Sequence, residues 1–173
     1  MGPALLALLL QSPIPLEPGT WWEYRESSTE RLGEIYSTTE HETRFAVTGS
    51  RARPFVVQRG GVDPVSGPAQ AGPGWVRVAP WTGEDAIPAP LEVGRAGPAP
   101  EGDGSGWTVE SEETVGVPAG TFATFRCAYR TATAVSILWI APAVGVVREA
   151  HGPPGARPEL ERELLRWAGP ARP

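Results

Sequence analysis

The longest regular pattern of apolar and polar positions runs from Thr114 to Glu149. Within it, Phe122 to Arg130 alternates an apolar side with a mixed side, as expected for an antiparallel strand that packs on one face. Val135 to Ile140 is nearly all apolar, which predicts the central, most buried strand. Proline and glycine separate these runs, at Pro118-Ala119-Gly120 and at Ala141-Pro142-Ala143. The stretch therefore predicts four consecutive strands joined by short turns.

The same alternation predicts shorter strands earlier in the chain. They are Trp21 to Glu26, Thr38 to Thr48, Phe55 to Gln58, Trp75 to Ala79 and Trp107 to Glu113. Residues 80–106 are rich in Pro, Gly and Ala and are predicted to be a flexible insert. With 20 Pro and 21 Gly among 173 residues, a helical fold is disfavoured. We expect one all-β domain, residues 13–173, built as a mainly antiparallel β-meander in a curved sheet or half-barrel.

The segment Pro158 to Trp167 is ambiguous. Leu160, Leu164 and Trp167 fit a helical stripe, and the segment has a Glu-rich start and an Arg-rich end, which complements a helix dipole. Local propensity therefore favours a short C-terminal helix. A closing strand would also bury Leu165 and Trp167 on one face, so both alternatives stay open.

A short sequence echo suggests two related halves. Pro15-Leu16-Glu17-Pro18-Gly19 precedes Trp21, and Pro90-Leu91-Glu92-Val93-Gly94 precedes Trp107 after an insert. Each copy is followed by several predicted strands. Two similar β-meanders would explain the echo, although a match of this length also arises by chance.

Composition and charge exclude some partners. The net charge is −5, and the basic residues, all of them Arg, are scattered among acidic ones. Nucleic-acid binding needs clustered positive charge, so we expect no such partner. No apolar run approaches the ~18 residues that span a bilayer, which leaves at most a peripheral membrane contact. The absence of Lys and Asn is typical of a GC-rich genome or of a thermophile.

The first residues indicate export. Residues 1–12 contain a short apolar run, Ala4 to Leu10, followed by Ser12, and are interpreted as a partial signal segment. The run lacks a basic start, and no Cys follows it that could carry a lipid anchor. We expect an exported protein, periplasmic or extracellular.

The sequence contains no specific pattern for catalysis or for metal binding. His41 and His151, the only histidines, lack the spacing of a zinc site, so no metal is expected. The adjacent acids Glu112 and Glu113 point to opposite faces of a strand, which argues against a paired-carboxylate hydrolase. The single Cys127 is interpreted as a small buried hydrophobe. We therefore predict a protein that is not an enzyme and needs no cofactor.

The aromatic residues are the remaining functional candidates. A curved sheet lined by Trp22, Trp75, Trp107 and Trp139 could enclose an apolar ligand. The alternative is a core that is simply rich in tryptophan.

Two motifs carry a family resemblance. The runs VPAGTF, Val117 to Phe122, and WIAPAVGVVRE, Trp139 to Glu149, resemble a group of uncharacterised bacterial envelope domains. The opening Pro15 to Trp22 is similar to the start of those domains. The resemblance implies a curved antiparallel half-barrel, similar to those of lipoprotein and lipid carriers, whose closing segment is a strand. The motif residues form turns and core, so they indicate a fold more than a function.

These observations predict a non-catalytic binding or structural module of the bacterial cell envelope. The first alternative is a carrier that holds a lipid or other apolar ligand in the concave face of the sheet. The second is a hydrolase, which no residue pattern in the sequence supports. An apolar ligand or another envelope protein is the expected partner.

Overall fold

Strands dominate the described part of the chain, which comprises residues 12–32, 34–50, 53–60, 65–82, 86–97 and 106–169 of the computed structural model. The strands are β1 Trp21–Leu32, β2 Ile35–Ser50, β3 Arg53–Gly60, β4 Ser66–Gly72, β5 Trp75–Val78, β6 Ile87–Pro88, β7 Trp107–Val117, β8 Gly120–Arg130, β9 Val135–Ala141, β10 Gly145–Gly152 and β11 Leu160–Ala168. One short helix, α1, covers Ala79–Thr82. None of the helices in the described ranges is long and apolar enough to cross a membrane.

All strands belong to one 11-stranded sheet with the order β6-β5-β4-β3-β2-β1-β11-β10-β9-β8-β7. Each neighbouring pair is antiparallel, and β11 joins the two meanders by lying between β1 and β10. Residues 94–97 cover the β7 edge of the sheet. Gly94 donates to the carbonyl of Val109 at 2.8 Å, and Gly97 donates to Trp107 at 2.7 Å. The predicted all-β, curved, barrel-like sheet is confirmed.

The core fills the inner face of this sheet. The fully buried side chains on β1 and β9 are two positions apart, Trp22 and Tyr24 in one strand and Leu138 and Ile140 in the other. The prediction that Val135 to Ile140, which forms most of β9, is the central and most buried strand is wrong. β10 is buried at more positions, and β9 lies third from the β7 edge of the sheet. Its alternate residues, including Ile137, lie on the outer face and stay partly exposed. Apolar residues on both faces of a strand therefore mark an outer apolar surface as well as the core.

The predicted helix at Pro158 to Trp167 is wrong, because these residues form β11. Arg162 and Leu164 are buried between Glu161, Glu163 and partly exposed Leu165, which is the period of a strand. The segment bonds to β1 on one side and β10 on the other. Two backbone ladders outweigh a helix propensity of a few tenths of a kcal/mol per residue. The strand implied by the family resemblance is the one observed.

The described part of the Pro/Gly-rich insert, residues 80–82 and 86–97, packs against the body of the protein. Trp81 is 5% exposed, Ile87 0% and Leu91 8%. The other insert residues, 83–85 and 98–105, lie outside the described ranges, as does most of the signal segment, residues 1–11. The insert thus supplies core side chains as well as loop.

The two copies of the sequence echo form the same turn. Thr20 donates to Glu17 and Arg95 donates to Glu92, each at 3.0 Å. Gly19 and Gly94 both have positive φ, 94° and 85°, where a residue with a β-carbon is strained. Both glycines also donate to a strand carbonyl, of Val47 and Val109. The echo is therefore structural; common descent of the two halves stays a prediction.

Candidate functional site

The four tryptophans predicted to line a ligand site lie in separate environments. Trp22 and Trp107 are buried on the inner face, at 0% and 2% exposure. Trp75 and Trp139 alternate with buried neighbours and so lie on the outer face. Among the described residues, no ring contact joins two of these four. Their role as ligand contacts stays a prediction.

Other aromatic rings fill the inner space beside Trp22. Trp81, from α1, meets Trp22 edge-on with ring centroids 5.2 Å apart and stacks on Phe45 at 5.0 Å. Tyr24 meets Phe45 edge-on at 5.4 Å, and its hydroxyl donates to the carbonyl of Val146 at 2.6 Å. An apolar ligand in this part of the concave face would therefore have to displace Trp81.

Three charged side chains form a row across the inner face, which we call the buried charge row. Glu26, Arg162 and Glu149 are direct cross-strand neighbours on β1, β11 and β10. Their exposures are only 2%, 7% and 8%. Arg162 Nε donates to Glu26 Oε2 at 2.7 Å, and Nη1 donates to Glu149 Oε2 at 2.8 Å. One guanidinium thus serves two carboxylates that are largely removed from water.

Two further side chains, Thr43 and Phe45, contact the buried charge row at Glu26 and Arg162. The hydroxyl of Thr43 donates to Glu26 Oε2 at 3.0 Å. The ring of Phe45 lies 5.3 Å from the guanidinium carbon of Arg162, close enough for a cation–π interaction. Glu26 accepts two hydrogen bonds in this way, and its carboxylate is better solvated by protein than that of Glu149.

Burial changes protonation in and near this row. It raises the pKa of Glu149, and the positive charge of Arg162 opposes that shift. It also raises the pKa of Tyr24 well above its usual 10, with the charge of Glu149 adding to the effect. Burial alone raises the pKa of Cys127 to about 12. The thiol is therefore protonated near neutral pH, in keeping with its interpretation as a buried hydrophobe.

The two histidines do not assemble a catalytic relay. Ser136 Oγ lies 2.7 Å from His151 Nδ1 across β9 and β10. Glu149, two residues before His151, bonds to Arg162 instead, and within the described ranges no carboxylate bonds to His151. His41 lies opposite Glu26 in the β1–β2 register. Among the residues that the structure describes, no group of three or more His, Cys, Asp and Glu could hold a metal ion.

A groove of about 340 Å³ lies on the outer face of β8, β9 and β10, and we call it the outer groove. Its apolar floor is formed by Val135, Ile137 and Ala150. Ile137 pairs with Ala128 on one side and Ala150 on the other. The small side chain of Ala150 lines the groove, whereas Ala128 is buried beneath its surroundings at 2% exposure. The loop 152–158 forms the opposite wall.

Arg126 and Arg130 form the charged rim of the outer groove. Both pair with the same carboxylate, Glu110, and Arg126 Nε also lies 4.0 Å from Glu113. The side chain of Arg130 is 49% exposed, against 23% for Arg126. A guanidinium has five N–H donors, so sharing one carboxylate leaves donors for an acceptor in the groove. The groove thus combines an apolar floor with cationic hydrogen-bond donors.

Sequence reasoning missed the buried charge row and the outer groove. The sequence does contain a signal for the buried charge row. Glu26 follows Trp22 and Tyr24 at a spacing of two residues, and Arg162 precedes Leu164 by two residues, so each charge shares a strand face with apolar side chains. A charged residue in phase with an apolar face predicts a buried polar contact. The groove needs knowledge of which strands lie side by side, and no short pattern supplies it.

Comparison with solved structures finds the same fold elsewhere. A protein titled "putative exported protein with YmcC-like fold" from Bacteroides fragilis superposes with a TM-score of 0.53 at 13% identity, over 90% of this chain and 98% of that one. A "putative lipoprotein" from Parabacteroides distasonis gives 0.42 at 12% identity, with 90% and 98% covered. The first likeness shows a shared fold alone. No protein-family profile and no curated protein matches the sequence.

Proposed function

We propose that this protein is a non-catalytic binding module of the bacterial cell envelope, and that its ligand occupies the outer groove. The observation that carries the proposal is the pairing of an apolar floor, Val135, Ile137 and Ala150, with the guanidiniums of Arg126 and Arg130. Such a surface suits a small molecule with an apolar body and an anionic end. The inner face supports the same choice, because Trp81 and Phe45 fill it beside Trp22.

The anionic end would compete with Glu110 for the two guanidiniums. Glu110 is bonded to both Arg126 and Arg130, and the Arg130 side chain is half exposed. Exchange of one carboxylate partner for another at an exposed site changes the free energy little. The affinity would therefore come mainly from apolar contact with the floor, and the charge would orient the ligand.

Octanoate and octanol form a matched pair of probes for this site. We expect octanoate to shift the backbone amide NMR signals of Arg130, Ile137 and Ala150, and octanol, which lacks the charge, to shift them less. Ala150→Phe fills the floor and should abolish the shifts. Thr121→Phe places the same ring at an exposed position of β8 outside the groove and should leave them intact. Shifts that survive Ala150→Phe would overturn the proposed site.

The carrier alternative and the compartment can be tested on the purified and the expressed protein. Organic extraction and mass spectrometry of native protein should recover no stoichiometric lipid that is held in the concave face. A lipid whose retention depends on Trp22 rather than Ala150 would favour the concave face instead. Fractionation of bacteria that express the full chain should place it outside the cytoplasm, as the predicted signal segment, residues 1–12, requires. A wholly cytoplasmic protein would contradict the envelope role.

A further inference from the structure

The β1–β2 ribbon extends beyond its neighbours in the sheet. β3 pairs only with Thr43–Ser50 of β2, whereas β1 pairs with β2 up to Ile35. Residues 35–42 therefore have β1 on one side and, within the described ranges, no strand on the other. All residues from Ile35 to Glu40 are exposed, including Ile35 at 71% and Tyr36 at 53%. An exposed edge of this length is a template for another strand.

The backbone directions on this edge follow from Val47. Its N–H and C=O bond to Thr20 and Gly19, on the β1 side. Alternate residues of an antiparallel strand turn both groups to the same neighbour, and the β1–β2 register has no shift along its length. Odd-numbered residues of β2 thus face β1. Tyr36, Thr38 and Glu40 direct their N–H and C=O groups to the open edge.

We propose that this edge pairs with the same edge of a second copy of the chain, in an antiparallel, two-fold symmetric interface centred on Thr38. Residues that direct their backbone groups to the interface must face one another, so Thr38 faces Thr38 and Tyr36 faces Glu40 of the other copy. Moving the register two residues toward β3 would place Ile35 opposite Thr43, which β3 already occupies. The Thr38 register is the longest on that side that avoids β3.

The charge pattern of β2 also favours this arrangement. The apolar residues, Ile35 and Tyr36, come before the acidic ones, Glu40 and Glu42. From Ile35 to His41, the antiparallel pairing sets no acid against another acid; Glu34, which would come opposite Glu42, lies outside β2. A parallel in-register pairing would set Glu40 against Glu40, which destabilises a cross-strand pair. Threonine opposite threonine at the centre is among the favourable pairs. The interface would join two 11-stranded sheets through their β2 edges.

Thr38→Pro tests the proposal most directly. Proline removes the N–H that faces the second copy and leaves the β1–β2 ladder bonds, which use odd-numbered residues, in place. By sedimentation velocity we expect a concentration-dependent dimer for the native chain and for Thr38→Ala, and a monomer for Thr38→Pro. Circular dichroism should show the same fold for all three. A native chain that is monomeric at about 1 mM, or a dimer that survives Thr38→Pro, would overturn the proposal.

A charge swap tests the register and does not depend on the proline variant. Tyr36→Glu sets two pairs of acids against each other and should weaken the dimer roughly 2- to 30-fold. Adding Glu40→Lys turns both pairs into opposite charges and should restore the affinity. Thr121→Glu, at an exposed position of β8, controls for the added negative charge. Equal weakening by the Tyr36 and Thr121 variants, or no rescue by Glu40→Lys, would exclude this register. A partner of another kind on the edge would leave the purified chain monomeric and count against the proposal.

Discussion

Removing the guanidinium of the buried charge row should cost a large part of the stability of the fold. Arg162→Met keeps much of the side-chain length but leaves Glu26 and Glu149 buried without a cation. Breaking a buried ion pair by removing one partner costs about 3–5 kcal/mol. Domains of this size are held by about 5–15 kcal/mol, and each kcal/mol shifts the melting temperature by about 2–4 °C. We therefore expect a drop of roughly 6–20 °C near pH 7.

The loss should shrink as the pH falls. Burial already raises the pKa of Glu149 in the native protein, and without the opposing charge of Arg162 this carboxyl takes up a proton more readily, which makes it less costly to bury. The melting temperatures of native protein and Arg162→Met should thus approach each other between about pH 7 and pH 5. Thermal unfolding followed by circular dichroism and by tryptophan fluorescence at both pH values measures this difference.

The triple variant Glu26→Gln, Arg162→Met, Glu149→Gln separates charge from packing. It removes every charge of the row, and neutral replacement of a buried ion cluster is often close to neutral in stability. We expect it to melt well above Arg162→Met at pH 7. Two results would refute the reasoning. They are a melting temperature for Arg162→Met within about 2 °C of the native value, and a triple variant as unstable as the single one.

Four further predictions use the same structure. Because the pKa of Glu149 is raised in the folded protein, its contribution to the free energy of unfolding is full below about pH 4.5 and is lost as the pH rises through the raised value. Glu149→Gln should therefore flatten the decline of the urea unfolding midpoint with rising pH, and an unchanged slope would contradict this. Trp81→Ala empties the ring stack and should cost about 3–5 kcal/mol in urea unfolding, with Trp81→Phe costing less. Gly94→Ala should cost about 1–2 kcal/mol of unfolding free energy, because Gly94 has φ +85°. An added β-carbon would meet nothing within 4 Å, so the whole cost comes from the backbone angle, and a neutral result would show that the turn relaxes. Cys127 should react with a disulfide reagent only after unfolding, and rapid reaction of native protein would disprove its burial.

The strands from Thr114 to Glu149 were predictable because their information is local. Pro118 and Gly120 bound the turn between β7 and β8, and Pro142 lies in the turn between β9 and β10. Each turn separates runs whose alternation gives the inner face directly, as with Cys127 on β8. A turn residue and a period of two are visible within about ten residues.

The failures involve residues whose surroundings come from elsewhere in the chain. Leu160 and Leu164 fit a helix as well as a strand until β1 and β10 provide backbone partners. Trp81 lies in a Pro/Gly-rich segment but is buried because Trp22 and Phe45 leave an aromatic space for it. Tertiary contacts override local propensity in both cases. The outer groove depends likewise on strands brought side by side.

The position of β11 also bears on how the protein is made. Glu23 and Arg166, which bond across the β1–β11 pair, are 143 positions apart in sequence. A ribosome has therefore synthesised nearly all of the described chain before β1 meets its second neighbour. Until then, the open sides of β1 and β10 are edges that can pair with other chains. Contacts of such long range fold slowly, so release of a shortened chain without β11 would yield a product prone to aggregation.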